Sequence, residues 1–464
     1  MTDKKSVLLL SYLFPPIGGI GVQRPLKFAR YLSDLDWAVT VLTVKDAYSA
    51  TMDPSLLDEV PEDVPVVRVS DPAARWLKQA VVKTANVTNP GQQSSNLLKR
   101  KMRKFLKVCK DTLCIPDESV FWAIRAFWIG RKLVKQKSID CLYTTSGPNS
   151  SHLAGLLIRW TTGVKWVADF RDPWTQNMHF HHRGLRRRIE QWIERKVFTN
   201  ADTLITVTDG FKDLFISQYP ECKDRIHVIR NGVDPHDFPT VKPVPVNPHK
   251  FTIFYSGILY PGRSPRIFLQ ALSYLIRNQS IRPDAISVQF AGVFDYPGYA
   301  ENQNLVTQLG LMGIVELLGY ISHQEALHRM QTSDALLLIG DDSRSASSYV
   351  PGKLYEYLYA EKPILALLKD GEAAGLIREA NAGIIVNPAD CVEVANAIRQ
   401  LVYVCRSNNV QFYRTATIHK YTRQAQTMQL AELMVAMVGH EETVISEDDE
   451  GGDIPHDTLN SAMR

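Results

Sequence analysis

The chain has 464 residues, of which 45% are apolar and 22% are charged, and its formal net charge is +4. This length suits about two or three domains, and the composition is that of an ordinary globular protein. The mild charge argues against a nucleic-acid-binding protein, although it leaves room for a local basic patch on acidic lipid. The cysteines, at positions 109, 114, 141, 222, 391 and 405, form no CxxC pair and have no histidine at zinc-ligand spacing. They are expected to be reduced thiols of a cytosolic protein.

The first residues predict a strand–loop–helix–strand unit. Residues 7–12 are an apolar run that Pro15 and Pro16 interrupt, which indicates a first strand rather than a signal peptide. A glycine-rich loop follows, then an amphipathic helix and a second strand at 39–44. The glycines at 18, 19 and 21 do not match G-x-G-x-x-G, and Asp46 is the only acidic candidate after the second strand. A nicotinamide dinucleotide site is therefore disfavoured, but the glycines still let the backbone approach a ligand closely.

Two segments of the N-terminal half are basic. Residues 47–120 are less regular in pattern, and within them residues 96–110, NLLKRKMRKFLKVCK, combine apolar and basic positions. Such a helix either lies on an anionic membrane or packs its apolar face on its own domain, and the pattern alone does not separate the two. Residues 181–195 predict another basic helix, a solvated face with a membrane or acceptor option. No apolar stretch approaches the ~20 residues that span a bilayer, so any membrane contact is expected to be peripheral.

Polar loops follow the next two predicted strands, at residues 139–144 and 164–169. In a parallel alternation of strands and helices, both loops open on the same edge of the sheet as the glycine loop. The side chains expected to converge there are His152, Asp169, Arg171 and Asp172. A carboxylate beside an arginine stays ionised and can orient or activate a hydroxyl group. Plainer interpretations stay open: a structural ion pair of Arg171 with Asp172, and a His152 that only starts a helix.

A second alternation of strands and helices follows a proline-rich stretch, VKPVPVNPHK at 241–250, which indicates a stiff linker. The remaining predicted strands span 203–207, 226–229, 251–257, 286–291, 314–318, 335–339, 364–368 and 384–386. The predicted fold class is α/β, with two Rossmann-like βαβ domains that face each other across a cleft. The predicted divisions are an acceptor-side domain at 1–240, the linker at 241–250, a ligand-binding domain at 251–410, helices at 411–438 that pack back toward the first domain, and an acidic disordered tail at 439–464.

The stretch around residue 353 is the most informative. A buried strand and a serine-rich loop lead to Pro351 and Gly352, which open a helix that carries Lys353 and Glu356. A helix start at the carboxyl edge of a sheet favours anions, and Lys353 is placed to reach a phosphate. Glu356 is one turn on, where a carboxylate can accept two hydrogen bonds from a diol. The pair suggests one ligand with a diphosphate and a ribose; the plainer interpretation is an exposed i,i+3 ion pair.

These patterns resemble the GT-B glycosyltransferases of the family 4 type, over nearly the whole chain except the acidic tail. The similar segments are PPIGGIGVQRPLKFARYL, TTSGPNSSHLAG, DFRDPW, IRNGVDPHDF, YSGILYPGR, LGYISHQEALHRMQTSDALLLI and VPGKLYEYLYAEKPIL. The resemblance implies a GT-B fold and a nucleotide-sugar donor on the C-terminal domain. That donor, of the UDP or GDP type, is a co-substrate, and no other cofactor is expected.

The resemblance also implies site residues. Glu356 matches the residue that holds the ribose hydroxyls, and Arg263, after the glycine turn at Gly257, matches the one that meets the diphosphate. Gly18 and Gly19 match the loop that closes over donor and acceptor, and Arg171 is assigned to the same acceptor side. The donor-binding set is Gly257, Arg263, Ser348, Gly352, Lys353 and Glu356. Arg263, Lys353 and Glu356 are expected to line one crevice between the domains.

The sequence departs from many relatives at two places. Ser348 occupies the position of a Glu that contacts the donor sugar, and Ile267, Phe268 and Leu269 occupy the stretch where a Lys follows the Arg. The donor sugar and the phosphate clamp therefore stay open. Lys353 is expected to supply the second positive charge.

The implied reaction is the transfer of a sugar, with retention, to a glycan or lipid-linked acceptor in surface polysaccharide or envelope glycan synthesis. The candidate catalytic residues are Asp172, Asp169 and His152, with Asp172 preferred to orient the acceptor hydroxyl. No D-x-D pair is placed for Mg²⁺, so no metal is expected. The expected location is the cytoplasm, with peripheral contact at the inner face of the membrane. Two alternatives stay open: a GT-B nucleotide-sugar 2-epimerase, and a non-catalytic nucleotide-sugar-binding subunit.

Overall fold

The computed structural model describes residues 4–45, 52–72, 114–177, 180, 182–239, 249–260, 262–295, 300–407 and 418–439. Asp46, the basic segment 96–110, most of the predicted linker and the acidic residues beyond 439 lie outside the described residues. The described part of the chain contains two parallel β-sheets with helices packed on them. The predicted α/β fold class with two Rossmann-like domains is confirmed.

The first sheet belongs to the N-terminal half of the chain. Its strands are β1 (Ser6–Leu10), β2 (Ala38–Val44), β3 (Val66–Val69), β4 (Cys141–Thr145), β5 (Lys165–Phe170), β6 (Thr203–Thr206) and β7 (Ile226–Val228), in the order β3-β2-β1-β4-β5-β6-β7. The helices are α1 (Ile20–Asp34), α2 (Val120–Lys137), α3 (Ser150–Thr162), α4 (Gly184–Asn200) and α5 (Asp209–Gln218). The strand order reverses between β1 and β4, because β2 and β4 pair with β1 on its two opposite sides.

The second sheet repeats this plan. Its strands are β8 (Phe251–Ser256), β9 (Ile286–Ala291), β10 (Val315–Gly319), β11 (Ala335–Ile339), β12 (Ile364–Leu367) and β13 (Gly383–Val386), in the order β10-β9-β8-β11-β12-β13. Its helices are α6 (Arg266–Arg277), α7 (Glu301–Gln308), α8 (His323–Thr332), α9 (Lys353–Tyr359), α10 (Glu372–Glu379) and α11 (Cys391–Arg406). The order reverses between β8 and β11.

The burial of the strands fits the parallel pairing of both sheets. Every residue of β1, β4 and β11 is buried, as in a sheet that helices cover on both faces. In such sheets ligands bind beyond the carboxyl ends of the strands, at the point where the strand order reverses. The glycine loop after β1 and the glycine turn after β8 lie at these two points.

A last described helix, α12 (Arg423–Gly439), returns to the first domain. Its residues Leu430, Ala431 and Met434 belong to the apolar core around the first sheet. The helix also packs along α1. In the described part of the chain, no helix is both long and apolar enough to span a membrane.

The structure differs from the predicted elements at a few places. Strand β3 lies in a stretch that was expected to be irregular. Its sequence VVRV is too short to predict a strand, and it forms one because its backbone pairs with β2. Helix α4 begins and ends later than the basic pattern predicted, at Gly184 and Asn200. Most other strands shift by one or two residues at an end.

Candidate active site

A cavity of about 170 Å³ lies between the domains, beyond the carboxyl ends of both sheets. Its walls come from the first turns of α1, from the loops after β5, β6 and β7, from α9 and the segment before it, and from the starts of α8 and α12. The Asp, Glu, Arg and His residues that line it are Arg24, Arg171, Asp172, Asp234, Asp237, His323, Glu356 and Arg423. Groups of both signs therefore meet in one interdomain space.

Glu356 is the carboxylate that the second domain contributes to this cavity. Its Oε1 lies 3.0 Å from Nε2 of His323, the first residue of α8. Burial disfavours a charged imidazole, but the hydrogen bond and the negative charge of Glu356 outweigh it and raise the pKa of His323 above its ordinary value. His323 thus fixes one oxygen of Glu356, and the other accepts no hydrogen bond from the described residues.

Lys353 and Arg263 form a cationic pair at the glycine turn after β8. Lys353 Nζ donates to the Ser256 carbonyl at 2.5 Å and lies 3.9 Å from the centre of the Tyr255 ring. A Cβ at Gly257, whose φ is +132°, would lie 2.7 Å from that ammonium group. Burial, and then the positive charge of Arg263, lower the pKa of Lys353 well below its ordinary value, while Glu356 acts in the opposite direction. The glycine is therefore needed both for its backbone conformation and for the space that Lys353 occupies.

Arg263 and Lys353 do not line the cavity in which Glu356 lies. The expectation that the three residues share one crevice therefore stays a prediction. In this structure Lys353 turns toward a backbone carbonyl and an aromatic ring, which give its buried ammonium group its contacts. Arg263 is 7% exposed, and its Nε has no hydrogen-bond partner among the described residues.

Two other predicted donor-side residues, Gly352 and Ser348, lie in different places. Gly352 lines the cavity. Ser348 instead lies at the contact between the domains, where its carbonyl accepts a hydrogen bond from Thr208 Oγ1 at 2.9 Å. A Cβ at Gly210, in the first turn of α5, would lie 2.5 Å from the Ser348 hydroxyl oxygen. Ser348 therefore joins the two domains in this conformation.

Arg171 ties together the loops at the edge of the first sheet. Its Nη1 donates to the Gly21 carbonyl at 2.6 Å, and its Nε donates to the Ser146 carbonyl at 2.8 Å. Gly21 lines the cavity, whereas Gly18 and Gly19 do not. Gly19 precedes α1 with a φ of +97°, and nothing lies within 4 Å of the place where its Cβ would be. The glycine loop thus opens toward free space beside the cavity.

Asp169 was a candidate catalytic carboxylate, but it is fully buried. Arg24 Nε donates to its Oδ2 at 2.8 Å and Arg24 Nη2 to its Oδ1 at 3.1 Å, and the Tyr143 hydroxyl also donates to Oδ2 at 2.5 Å. Burial favours the neutral acid, but Arg24 outweighs it and holds the pKa of Asp169 below its usual range. Asp169 is therefore a counter-ion for Arg24 and does not contact the cavity.

His152 was another catalytic candidate, and it too is fully buried. Its Nδ1 lies 2.8 Å from Thr144 Oγ1, and its ring lies 4.3 Å from the ring of Phe170, centre to centre. Burial lowers the pKa of His152 to about 3, so the imidazole is neutral. His152 does not line the cavity in this structure, and its catalytic role stays a prediction.

Asp172 is the catalytic candidate that does line the cavity, and it is exposed. Tyr349 of the second domain lines the same space, and burial together with the charge of Asp172 raises the pKa of its phenol. The carboxylate of Asp172, on the first domain, therefore faces the second domain across the cavity.

Sequence reasoning missed the cations of α1. Arg24 and Lys27 are buried in a helix whose apolar stripe alone was considered. Lys27 Nζ lies 2.7 Å from Asp234 and 2.5 Å from both Asp237 and Glu59. The sequence did contain an indication of them, since two cations stand three residues apart within an apolar helix face. Buried charges are paired or bind ligands, so such cations predict buried partners.

His323 and Arg423 were missed as well. His323 stands in the segment LGYISHQEALHRM, after a serine N-cap, and only its closeness to Glu356 shows its role. Arg423 begins α12, a helix that is distant in sequence from the rest of the cavity wall. In the part of the chain that the structure describes, no three or more His, Cys, Asp or Glu side chains are grouped to hold a metal ion.

Comparison with known proteins gives two family matches. The model of the glycosyl transferase 4-like domain matches residues 18–232, and that of the glycosyl transferases group 1 matches residues 250–403. A curated relative, the α-maltose-1-phosphate synthase of Mycolicibacterium smegmatis, is 36% identical over 130 residues. That match covers 26% of this chain and spans 32% of the length of the relative.

Solved structures show the same fold over nearly the whole chain. A glycosyltransferase from Rickettsia africae is similar with a TM-score of 0.60 and 14% identity, covering 94% of this chain and 99% of its own. Anabaena HepE in complex with UDP-glucose is similar with a TM-score of 0.55 and 16% identity, covering 93% and 99%. At such identity these likenesses establish the fold. With its two matched domains, the chain belongs to the glycosyltransferases of the GT-B fold, with a glycosyl transferase 4-like first domain and a group 1 second domain.

Proposed function

We propose that the chain transfers a sugar from a nucleotide-sugar donor of the UDP or GDP type to a glycan or lipid-linked acceptor, with retention at the anomeric carbon. The observation that carries this proposal is Glu356, a carboxylate on the wall of the interdomain cavity that is held through one oxygen by His323. A carboxylate so held can accept hydrogen bonds from both hydroxyls of a ribose.

The donor diphosphate would bind at the glycine turn after β8. Lys353 and Arg263 are both nearly buried there, and the charge of Arg263 disfavours the charged form of Lys353. A diphosphate would reverse this balance, because its negative charge favours a protonated Lys353. As the bond to the sugar breaks, the two cations would stabilise the charge that develops on the leaving nucleotide. Lys353 must turn from the Ser256 carbonyl to do so.

The first domain would present the acceptor. Asp172 lines the cavity and would orient the attacking hydroxyl, while Arg171 keeps the surrounding loops in place through the Gly21 and Ser146 carbonyls. Enclosure of the reaction between the domains would keep water from the reacting sugar. One solved neighbour binds UDP-glucose and the curated relative is named as an α-maltose-1-phosphate synthase, both of which support a nucleotide-sugar or sugar-phosphate chemistry.

We place the reaction in surface polysaccharide or envelope glycan synthesis, at the cytoplasmic face of the inner membrane. Basic residues at α4 support this placement, since Arg187, Arg188 and Arg195 of the helix and Arg183 just before it are all exposed. Basic side chains on one face attract anionic lipid. The segment 96–110, which was predicted for the same contact, lies outside the described residues.

The test is calorimetric titration of UDP, GDP and their sugar conjugates into the wild-type protein and Glu356→Ala. We expect one nucleotide to bind and the substitution to weaken it about tenfold or more, because hydrogen bonds to a charged group contribute about 1.5–3 kcal/mol. Glu432→Ala, at an exposed position of α12, is the control and should bind like the wild type. Equal affinity in Glu356→Ala would show that the ribose assignment is wrong.

Product analysis separates the alternatives. Incubation with the donor alone gives an epimerised sugar nucleotide if the chain is a 2-epimerase. Donor binding without turnover across a panel of acceptors would indicate a non-catalytic subunit. The absence of the sugar-contacting Glu at Ser348 keeps that second reading open.

A further inference from the structure

The start of α12 is fixed at the junction of the two domains. Arg423 N donates to the Val233 carbonyl at 2.8 Å, and Val233 N donates to the Tyr421 carbonyl at 3.0 Å. A Cβ at Gly232 would overlap the Tyr421 carbonyl and the Gln426 side chain. The backbone of Arg423 therefore has a set position, and its side chain forms part of the cavity wall.

Arg423 differs from Arg24 and Lys27, the two buried cations of α1. It is 6% exposed, and its side chain donates through Nη1 to the neutral amide oxygen of Gln426 at 3.1 Å. No carboxylate of the described residues lies within ion-pair distance of it, whereas Arg24 has Asp169 and Lys27 has Asp234. A buried guanidinium without a counter-ion is costly unless a ligand supplies the negative charge.

The electrostatic surroundings of Arg423 agree with this. Burial, and then the positive charge of Arg24, lower its pKa to about 10, while Glu356 and Asp237 act in the opposite direction. Arg423 lines the cavity together with Glu356, whereas Arg263 and Lys353 do not line it. Arg423 is thus a cation on the Glu356 side of the cleft, apart from the pair at the glycine turn.

We propose that Arg423 binds an anionic group, a phosphate ester or a carboxylate, on a substrate in the cavity, and that this group is distinct from the donor diphosphate. The inference rests on the proposed function, because it places the group on one of the two substrates of the transfer. A planar guanidinium with free N–H groups suits the bidentate binding of such oxyanions. The anion has two possible sources, the acceptor and an acidic donor sugar.

The experiment titrates inorganic phosphate into the full chain saturated with the nucleotide that binds, UDP or GDP, using wild type, Arg423→Gln and Arg423→Lys. Arg423→Gln should weaken phosphate binding about tenfold or more, and Arg423→Lys should retain most of the affinity because the charge is kept. Arg187→Gln, at an exposed position of α4, is the matched control and should bind phosphate like the wild type.

A thermal melt separates a binding role from a structural one. Since Arg423 has no ion pair to lose among the described residues, Arg423→Gln should melt no lower than the wild type. A lower melting temperature with unchanged phosphate affinity would mean a structural arginine and overturn the proposal. Phosphate that fails to bind the wild type, or binds Arg423→Gln equally well, would overturn it too.

Donor titrations identify the source of the anion. If Arg423→Gln weakens the binding of UDP-glucuronate but not that of UDP-glucose, the anion is on the donor sugar. If the substitution weakens the binding of neither conjugate but abolishes phosphate binding to the nucleotide-saturated protein, the anion is on the acceptor. Equal weakening of UDP itself would assign Arg423 to the diphosphate and contradict a distinct group. If no nucleotide binds, the proposed function fails, and phosphate titration of the free chain still tests Arg423.

Discussion

At the scale of single residues, His152 places a neutral imidazole in the core of the first domain. The ring is fully buried against Phe170 and bonds to Thr144, and burial lowers its pKa to about 3, far from the ordinary value of 6.5. Between these two values the unfolded chain takes up a proton that the folded chain does not. The stabilising contribution of a neutral His152 is therefore complete above about pH 6.5 and is lost as the pH falls toward 3.

This predicts an acid-sensitive first domain. Relative to His152→Asn, which keeps a polar atom near Thr144, the free energy of unfolding of the wild type should fall by about 1.4 kcal/mol per pH unit below pH 6. Urea unfolding at pH 7.5, 6.0 and 5.0 measures the difference. A constant difference across that range would show that His152 takes up a proton as readily in the folded protein as in the unfolded chain, and with it that the core packing is looser than described.

At the scale of helices, α2 presents an apolar stripe to the outside of the first domain. Phe121, Ile124 and Trp128 are 41%, 44% and 62% exposed, at positions that share one face of the helix. Arg125 and Lys132 are exposed beside them. Aromatic residues flanked by cations are typical of a helix surface that rests on an anionic membrane.

We therefore expect α2 to contribute to the proposed membrane contact. Trp128→Ser together with Phe121→Ser should reduce co-sedimentation with vesicles of phosphatidylglycerol and phosphatidylcholine several-fold, because two aromatic side chains no longer enter the interface. Tyr403→Ser, 74% exposed on α11 of the second domain, is the control and should bind vesicles like the wild type. Vesicle binding that is unchanged in the double variant would exclude α2 from the contact.

Elements were easier to predict from the sequence than side-chain contacts. An apolar run such as β11 predicts a buried strand without further information, and the glycine loop before α1 indicates the edge of the sheet. The charged side chains could not be assigned in the same way. Asp169 and Asp172 are three residues apart, yet one is a buried counter-ion of Arg24 and the other faces the cleft. Arg423 reaches the cavity only because α12 crosses to the first domain, which no local pattern encodes.

At the scale of the whole molecule, a small polar contact joins the two domains beside the cavity. Glu372, the first residue of α10, accepts hydrogen bonds from Arg230 Nη1 at 2.7 Å and from the backbone N–H of Gly210 at 2.5 Å. Thr208 Oγ1 of the first domain also donates to the Ser348 carbonyl of the second. Charge-assisted hydrogen bonds of this kind contribute about 1.5–3 kcal/mol each, so Glu372 has a large share in holding the domains together.

Removal of the Glu372 charge should therefore favour an open arrangement of the domains. In Glu372→Gln the side chain keeps its shape but loses the ion pair with Arg230, which retains Asp209 on its own domain. We expect a larger radius of gyration by small-angle X-ray scattering without ligand, and a return to the wild-type value when the nucleotide donor bridges the cleft. Donor affinity should fall several-fold, because part of the binding free energy then closes the domains. Glu393→Gln on α11 is the control, because Glu393 accepts a hydrogen bond from within its own domain. If Glu372→Gln has the same radius of gyration as this control, the domain arrangement does not depend on the Glu372 contact.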